Sequence, residues 1–166
     1  GYRATTIANV ASRAEVNVDT VYALVGSKPL LLREVIEQAI SGRDRAVVAE
    51  DRDDGKQVRA DTDPATKLAV YAQAVREIQS RMAPLFLALR DAASTEPEAE
   101  RVWHEISERR AANMRKLARD LRAAGGLRAD LTIADAADVL WAKLSESILV
   151  GAADVAILIS KSGESE

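Results

Sequence analysis

The first 40 residues constrain the chain most, because three helix-start signals follow one another with little room between them. Ile7, Val10, Ala11 and Ala14 fall at i, i+3, i+4 and i+7, an apolar stripe about two turns long, behind a threonine N-cap at Thr5 or Thr6. The stretch from Arg13 to Asn17 holds only a few turn residues. Asn17 is a strong N-cap for a second helix whose buried side would be Val21, Leu24 and Val25. Ser27 caps a third helix, with Pro29 in its first turn and an inner stripe of Leu32, Val35, Ile36, Ala39 and Ile40, expected to run to about Ala49. Two short helices, a tight turn and a longer helix form a helix-turn-helix pattern.

Composition narrows the class. The chain of 166 residues is 48% apolar and 30% charged, which suits a globular fold and not a disordered one. No run of 18 or more uncharged apolar residues occurs, so no membrane span is expected. There is no cysteine and no signal-peptide pattern, which excludes disulfides and thiolate metal sites and makes a cytoplasmic location the default expectation. The net charge of −3 argues against a protein that coats nucleic acid everywhere, but not against a local reading head.

Further along, DRDDGKQVRADTD (residues 51–63) has charge, a glycine and no apolar pattern, and reads as a linker. Asp63 and Pro64 then open a helix whose inward positions include Leu68, Tyr71, Val75 and Met82. Pro84 should end or kink it, and the all-apolar Leu85–Leu89 should form a short, surrounded helix. Thr95 or Glu96 with Pro97 opens a long helix that stops at Gly125 and Gly126. Thr132 caps the next, with a stripe of Ala136, Ala137, Leu140, Trp141, Leu144 and Ile148. No strand is convincing, so the expected class is all-α.

Two groups of residues could carry function. On the second helix the outward positions are Asn17, Val18, Asp19, Thr20 and Tyr22; Asp19 could accept from cytosine N4 and Val18 could touch a thymine methyl. The bland alternative is an ordinary solvated helix face. In the second half the inward positions Tyr71, Met82, Phe86, Leu89, Trp103, Ile106 and Trp141 are apolar or aromatic, while Arg110 and Asn113 interrupt a carbon stripe and Arg90 follows the all-apolar segment. An apolar pocket with a few polar groups is how small ligands are held. The alternative is that the aromatics are core and that Arg110 snorkels or pairs with Glu105 or Glu108. Catalysis has little support: His104 is the only histidine, no nucleophile has a base at a recognisable spacing, and no carboxylate cluster suggests a metal.

The string GYRATTIANVASRAEVNVDTVYALVGSKPLLLREVI resembles the DNA-binding region of the TetR family of transcriptional repressors. The segments RMAPLFLALRDAASTEPEAERVWHEISERRAANMRKLARDL and ADAADVLW are similar to the ligand-binding half of a bacterial subgroup of that family. The resemblance implies that Thr20, Tyr22 and Lys28 grip the DNA backbone, that Thr5 and Thr6 offer donors from a helix start, and that Val18 and Asp19 read bases. Glu15 stands where the family usually has glycine, and Val25 where it usually has an aromatic residue. Family members also carry a helix ahead of the Gly-Tyr pair, so the DNA-binding head, residues 1–45, is expected to be incomplete at its N-terminus.

The expectation is a ligand-responsive repressor with a helical ligand-binding and dimerisation domain at residues 46–166. It would bind a palindromic operator on double-stranded DNA as a homodimer and be released by a largely apolar small molecule, without cofactor, metal or enzyme activity. The dimer is expected to form through Thr132 to about Val150 and the apolar segment Val155 to Ile159, which a monomer would leave exposed. The alternative is a helical ligand-binding or dimerisation module that has lost DNA binding.

Overall fold

A computed structural model of the chain describes residues 1–42, 47, 49 and 51–146. Among these residues a 3-10 turn at Tyr2–Ala4 precedes seven α-helices and no strand: α1 Ile7–Arg13, α2 Val18–Val25, α3 Lys28–Ser41, α4 Asp53–Ala60, α5 Pro64–Ala93, α6 Pro97–Ala123 and α7 Ile133–Glu146. The all-α class is therefore as expected. The described residues form two compact units, the first drawn from residues 1–47 and 79–107, the second from 48–78 and from 108 onward.

In the first unit the caps fall where short polar side chains stand. Thr6 Oγ accepts from the Asn9 N–H at 3.1 Å, Asn17 Oδ1 from the Asp19 N–H at 2.8 Å, and Ser27 Oγ from the Leu30 N–H at 3.3 Å. α1 ends in a Schellman arrangement: the Val16 N–H bonds back to Ala11 O at 3.0 Å and the Glu15 N–H to Ser12 O at 3.3 Å. That geometry forces the residue after the cap into the left-handed region, and Glu15 sits there at φ 56°. Ile7, Ala11 and Val21 form the small core between α1 and α2, with Val25 and Leu31 packed against it.

Four expectations for this region change. Ala14, placed on the stripe of α1, is exposed, because it is already the C-cap. Leu24, expected on the buried side of α2, is 79% exposed. Val21 and Val25, one turn apart, already fill the narrow inner face of an eight-residue helix, and Leu24 projects about 100° away from Val25. On α3 Ile36 is fully buried but Val35 is 39% exposed, and the helix ends at Ser41 with Gly42 left-handed at φ 64°, short of Ala49.

In the second unit the expected linker is partly helical. α4 occupies Asp53–Ala60, with Asp53 and Asp54 in its first turn where the helix dipole favours them. Val58 is buried, and the ammonium of Lys67, a residue only 6% exposed, donates to the Val58 carbonyl at 2.5 Å. One apolar residue and one buried cation thus hold a helix that the apolar pattern alone does not reveal. Its neighbours in the core include Leu68 of α5, Met114, Leu117 and Leu121 of α6, Leu127, and Ala136 and Leu140 of α7.

α5 runs unbroken through Pro84. The proline is exposed, and so is Ser80 four residues before it, so the backbone donor that the ring removes is missing from a solvent-facing side of the helix. The Leu85–Leu89 segment is accordingly not surrounded: Leu89 is fully buried, but Leu87 is 48% exposed. α6 closes as expected, with Gly125 at φ 74° and the Gly126 N–H bonded to Leu121 O at 2.8 Å. α7 starts in a reciprocal cap in which Thr132 Oγ accepts from the Asp135 N–H at 3.1 Å and Asp135 Oδ2 accepts from the Thr132 N–H at 3.1 Å. Ala136, Ala137 and Leu140 are buried and Trp141 half-buried. The side chain of Leu144, together with Ile148, Val150 and the Val155–Ile159 segment of the expected dimer contact, lies outside the described residues.

Candidate functional site

The first candidate surface is the outer face of α1 and α2. Thr5, Thr6, Asn17, Val18, Asp19, Thr20 and Tyr22 are all exposed. Val18 and Tyr22 stand one turn apart at 36% and 50% exposure, so α2 turns two large side chains outward beside the acidic Asp19. Leu24 adds a third, which an apolar pattern assigns inward and only the packing reveals. Arg3 and Arg13 are exposed as well.

Lys28 is positioned differently from the rest. It is half-buried, and its ammonium lies 3.9 Å over the centre of the Tyr2 ring. The Tyr2 hydroxyl in turn donates to Glu96 Oε2 at 2.9 Å. Burial, then the Glu96 bond and charge, push the Tyr2 phenol well above its ordinary range and keep it a donor. Elsewhere in this unit Arg33 pairs with Glu105 at 2.9 Å, and the Arg81 Nε–H donates to the Ala39 carbonyl at 2.9 Å, close to the end of α3.

The second candidate is an open cavity of about 270 Å³ in the second unit. α4 contributes Asp54, Gly55, Val58 and Arg59, with Arg52 at its cap; α5 contributes Tyr71; and α6 contributes Asn113, Lys116, Leu117, Arg119 and Asp120, while Ala49 completes the wall. Asn113, Lys116, Leu117 and Asp120 follow helical spacing, so one face of α6 supplies most of one side. Arg52 and Asp54 form a two-point pair, Nε to Oδ1 at 3.1 Å and Nη2 to Oδ2 at 3.3 Å. Burial pushes the Tyr71 phenol up to about 12, only partly opposed by the charges of Arg52 and Arg110. It is therefore a neutral donor at any ordinary pH.

The ten residues picked out for ligand contact do not gather in one place. Tyr71 and Asn113 line the cavity. Arg110 and Trp141 belong to the same unit but not to that wall; the guanidinium lies 4.9 Å over the Trp141 ring, and burial draws its pKa below the usual arginine value. Met82, Leu89 and Ile106 are core residues of the first unit, each at most 2% exposed. Phe86 and Trp103, also of the first unit, stack with ring centres 4.2 Å apart. Arg90 is exposed near the end of α5, 3.8 Å from Asp91. The basic lining from α4 and α6 was missed, because a cation on a solvated helix face has the same pattern whether or not it borders a cavity.

His104 lies on the surface, 3.9 Å from Glu100. Among the described residues no group of His, Cys, Asp and Glu could hold a metal, and no helix is long and apolar enough to cross a membrane. Compared with known proteins, the chain matches no family model and no curated protein.

Proposed function

We propose that the chain is a ligand-responsive DNA-binding regulator of TetR-like build, acting as a homodimer, with α1, the turn and α2 as a helix-turn-helix and α2 as its reading helix. The observation that carries this reading is the division of α2 into two faces. Val21 and Val25 pack inward on Ile7 and Ala11, while Val18, Asp19, Thr20 and Tyr22 stand outward together. In such a motif the first residues of the second helix meet base edges and the flanking residues hold phosphates. Asp19 suits cytosine N4, and the apolar Val18 and Leu24 suit thymine methyls. Thr20, Tyr22 and Lys28 are assigned to the backbone, with Thr5 and Thr6 at the start of α1.

A two-fold dimer would set two reading helices about 34–36 Å apart, one turn of DNA, and so match a palindrome. A small molecule bound among the later helices would release the operator to the extent that it prefers a different separation of those heads.

Fluorescence anisotropy of a labelled duplex of pooled sequence tests the assignment. Binding should weaken steeply as salt rises, and Tyr22→Ala should weaken it further on every sequence. Absence of binding even at low salt would favour a helical ligand-capture or dimerisation module instead.

A further inference from the structure

We infer that the cavity bounded by α4, α5 and α6 binds a neutral, mainly apolar molecule through a single hydroxyl group, with Tyr71 and Asn113 as its hydrogen-bond partners. As an effector site it rests on the regulator reading above; as a binding site it does not. Both side chains line the cavity and are only partly exposed. Among the described residues neither the Tyr71 hydroxyl nor the Asn113 amide has a hydrogen-bond partner, and neither is sealed off from solvent. A polar group largely withdrawn from water and left unbonded destabilises the folded chain, and a ligand that bonds it recovers that loss. Burial keeps the Tyr71 phenol protonated, so it donates, while the Asn113 amide offers an acceptor oxygen beside its donor nitrogen. A ligand hydroxyl accepts from the first and donates to the second, whereas an ether has no proton for the Asn113 oxygen.

The charges of the wall do not call for an ionic ligand. Arg52 is bound to Asp54 through two hydrogen bonds, and Arg59 and Lys116 have partners of their own. The remaining pair, Arg119 and Asp120, are opposite in sign and adjacent on α6. The body of the ligand meets carbon instead. Val58 and Leu117 are buried core side chains that reach the cavity, and Leu117 stands one turn beyond Asn113 on the same face of α6. Tyr71 feels the charge of Arg110, one turn before Asn113, which sets the phenol at the Asn113 end of this wall and leaves Val58 and Leu117 to the apolar body. An apolar cavity of about 150 Å³ already holds benzene. The volume here, about 270 Å³, accommodates a ring with a short substituent.

Calorimetric titration of the full chain without DNA tests this, with para-ethylphenol, para-ethylanisole, para-ethyltoluene and para-ethylbenzoate as probes. The phenol should bind, and the ether, the hydrocarbon and the anion should each bind more weakly by at least about fivefold, the value of one hydrogen bond. Tyr71→Phe should weaken the phenol by a similar factor and leave para-ethyltoluene unchanged, a split that a merely structural role would not give. Asn113→Ala should also weaken the phenol. Because the Tyr71 hydroxyl has no partner among the described residues, the urea midpoint of Tyr71→Phe should equal or exceed that of the parent; a lower one would show the hydroxyl already bonded and count against the site. No binding of the phenol, another probe binding as tightly, unchanged phenol binding by either variant, or equal loss of phenol and hydrocarbon in Tyr71→Phe overturns the inference. Adding para-ethylphenol to a preformed DNA complex separates the two ideas: release supports both, whereas calorimetric binding without release supports the site and counts against its role as effector.

Discussion

The Lys28 ammonium rests 3.9 Å over the face of the Tyr2 ring, so a cation assigned to the DNA backbone is held by an aromatic residue from the start of the chain. The same ring is fixed at its far end, where its hydroxyl donates to Glu96 at the start of α6. Tyr2→Phe should keep the ring under Lys28 and lose only the hydrogen bond, costing about 1 kcal/mol. Tyr2→Ala should cost more, by about 0.5–1 kcal/mol for the cation contact plus the lost packing. Urea denaturation of the two variants measures the difference; equal losses would show that the ring contributes nothing to holding Lys28.

Glu15 pays for its left-handed backbone with strain that glycine would not feel. Glu15→Gly should be neutral or stabilising by up to about 1 kcal/mol, since relief of strain competes with the greater freedom of an unfolded glycine. Glu15→Val, β-branched at φ 56°, should lose more than about 1 kcal/mol. Thermal unfolding of the pair checks the order, and a valine variant as stable as the parent would contradict the Schellman geometry at the end of α1.

Gly126 is required for space. A Cβ there would stand 2.3 Å from the Cβ of Pro64, a ring fixed to the backbone at the start of α5. Gly126→Ala should therefore cost roughly 2 kcal/mol or more, whereas Gly1→Ala, with nothing within 4 Å, should be neutral. Denaturant midpoints for both decide it.

Two helix starts make stability depend on acid. Asp63 accepts from the Thr66 hydroxyl at 2.6 Å and the Thr66 N–H at 2.8 Å, and Asp135 accepts from the Thr132 hydroxyl at 2.7 Å and the Thr132 N–H at 3.1 Å. These bonds hold both carboxyls below their ordinary value of 3.8. The folded chain thus gives up these protons more readily than the unfolded chain, and stability rises with pH across that interval. The contribution is present above 3.8 and is lost as pH falls through the lower folded values. Asp63→Asn with Asp135→Asn keeps hydrogen-bond acceptors at both caps but removes the titration, so the loss of stability between about pH 5 and pH 3 should be smaller than in the parent. Urea midpoints at both ends of that range check it; an unchanged loss would place the acid sensitivity elsewhere.

How much was legible follows from how local each signal is. Thr6, Asn17, Ser27, Asp63 and Thr132 all cap helices as their residue types suggest, because a cap is settled within three residues of chain. Leu24 misled because a stripe of two or three apolar residues on so short a helix has no unique inner face. α4 was hidden because its hold comes from Val58 and from Lys67, a residue of the next helix. The cavity was unreadable for a related reason: Arg59 and Arg119 lie 60 residues apart in sequence and come together only through the packing of α4 and α6.

Selection from a pool of random duplexes by the full chain tests the proposed reading head most directly. Enrichment of a palindrome with half-sites about one helical turn apart is the expected result, with Val18→Ala or Asp19→Asn changing the enriched bases and Tyr22→Ala lowering recovery without changing them. A pool that stays random after repeated rounds at low salt, or the same enriched sequence from the parent, Val18→Ala and Asp19→Asn, would contradict the assignment of α2 as the helix that reads DNA.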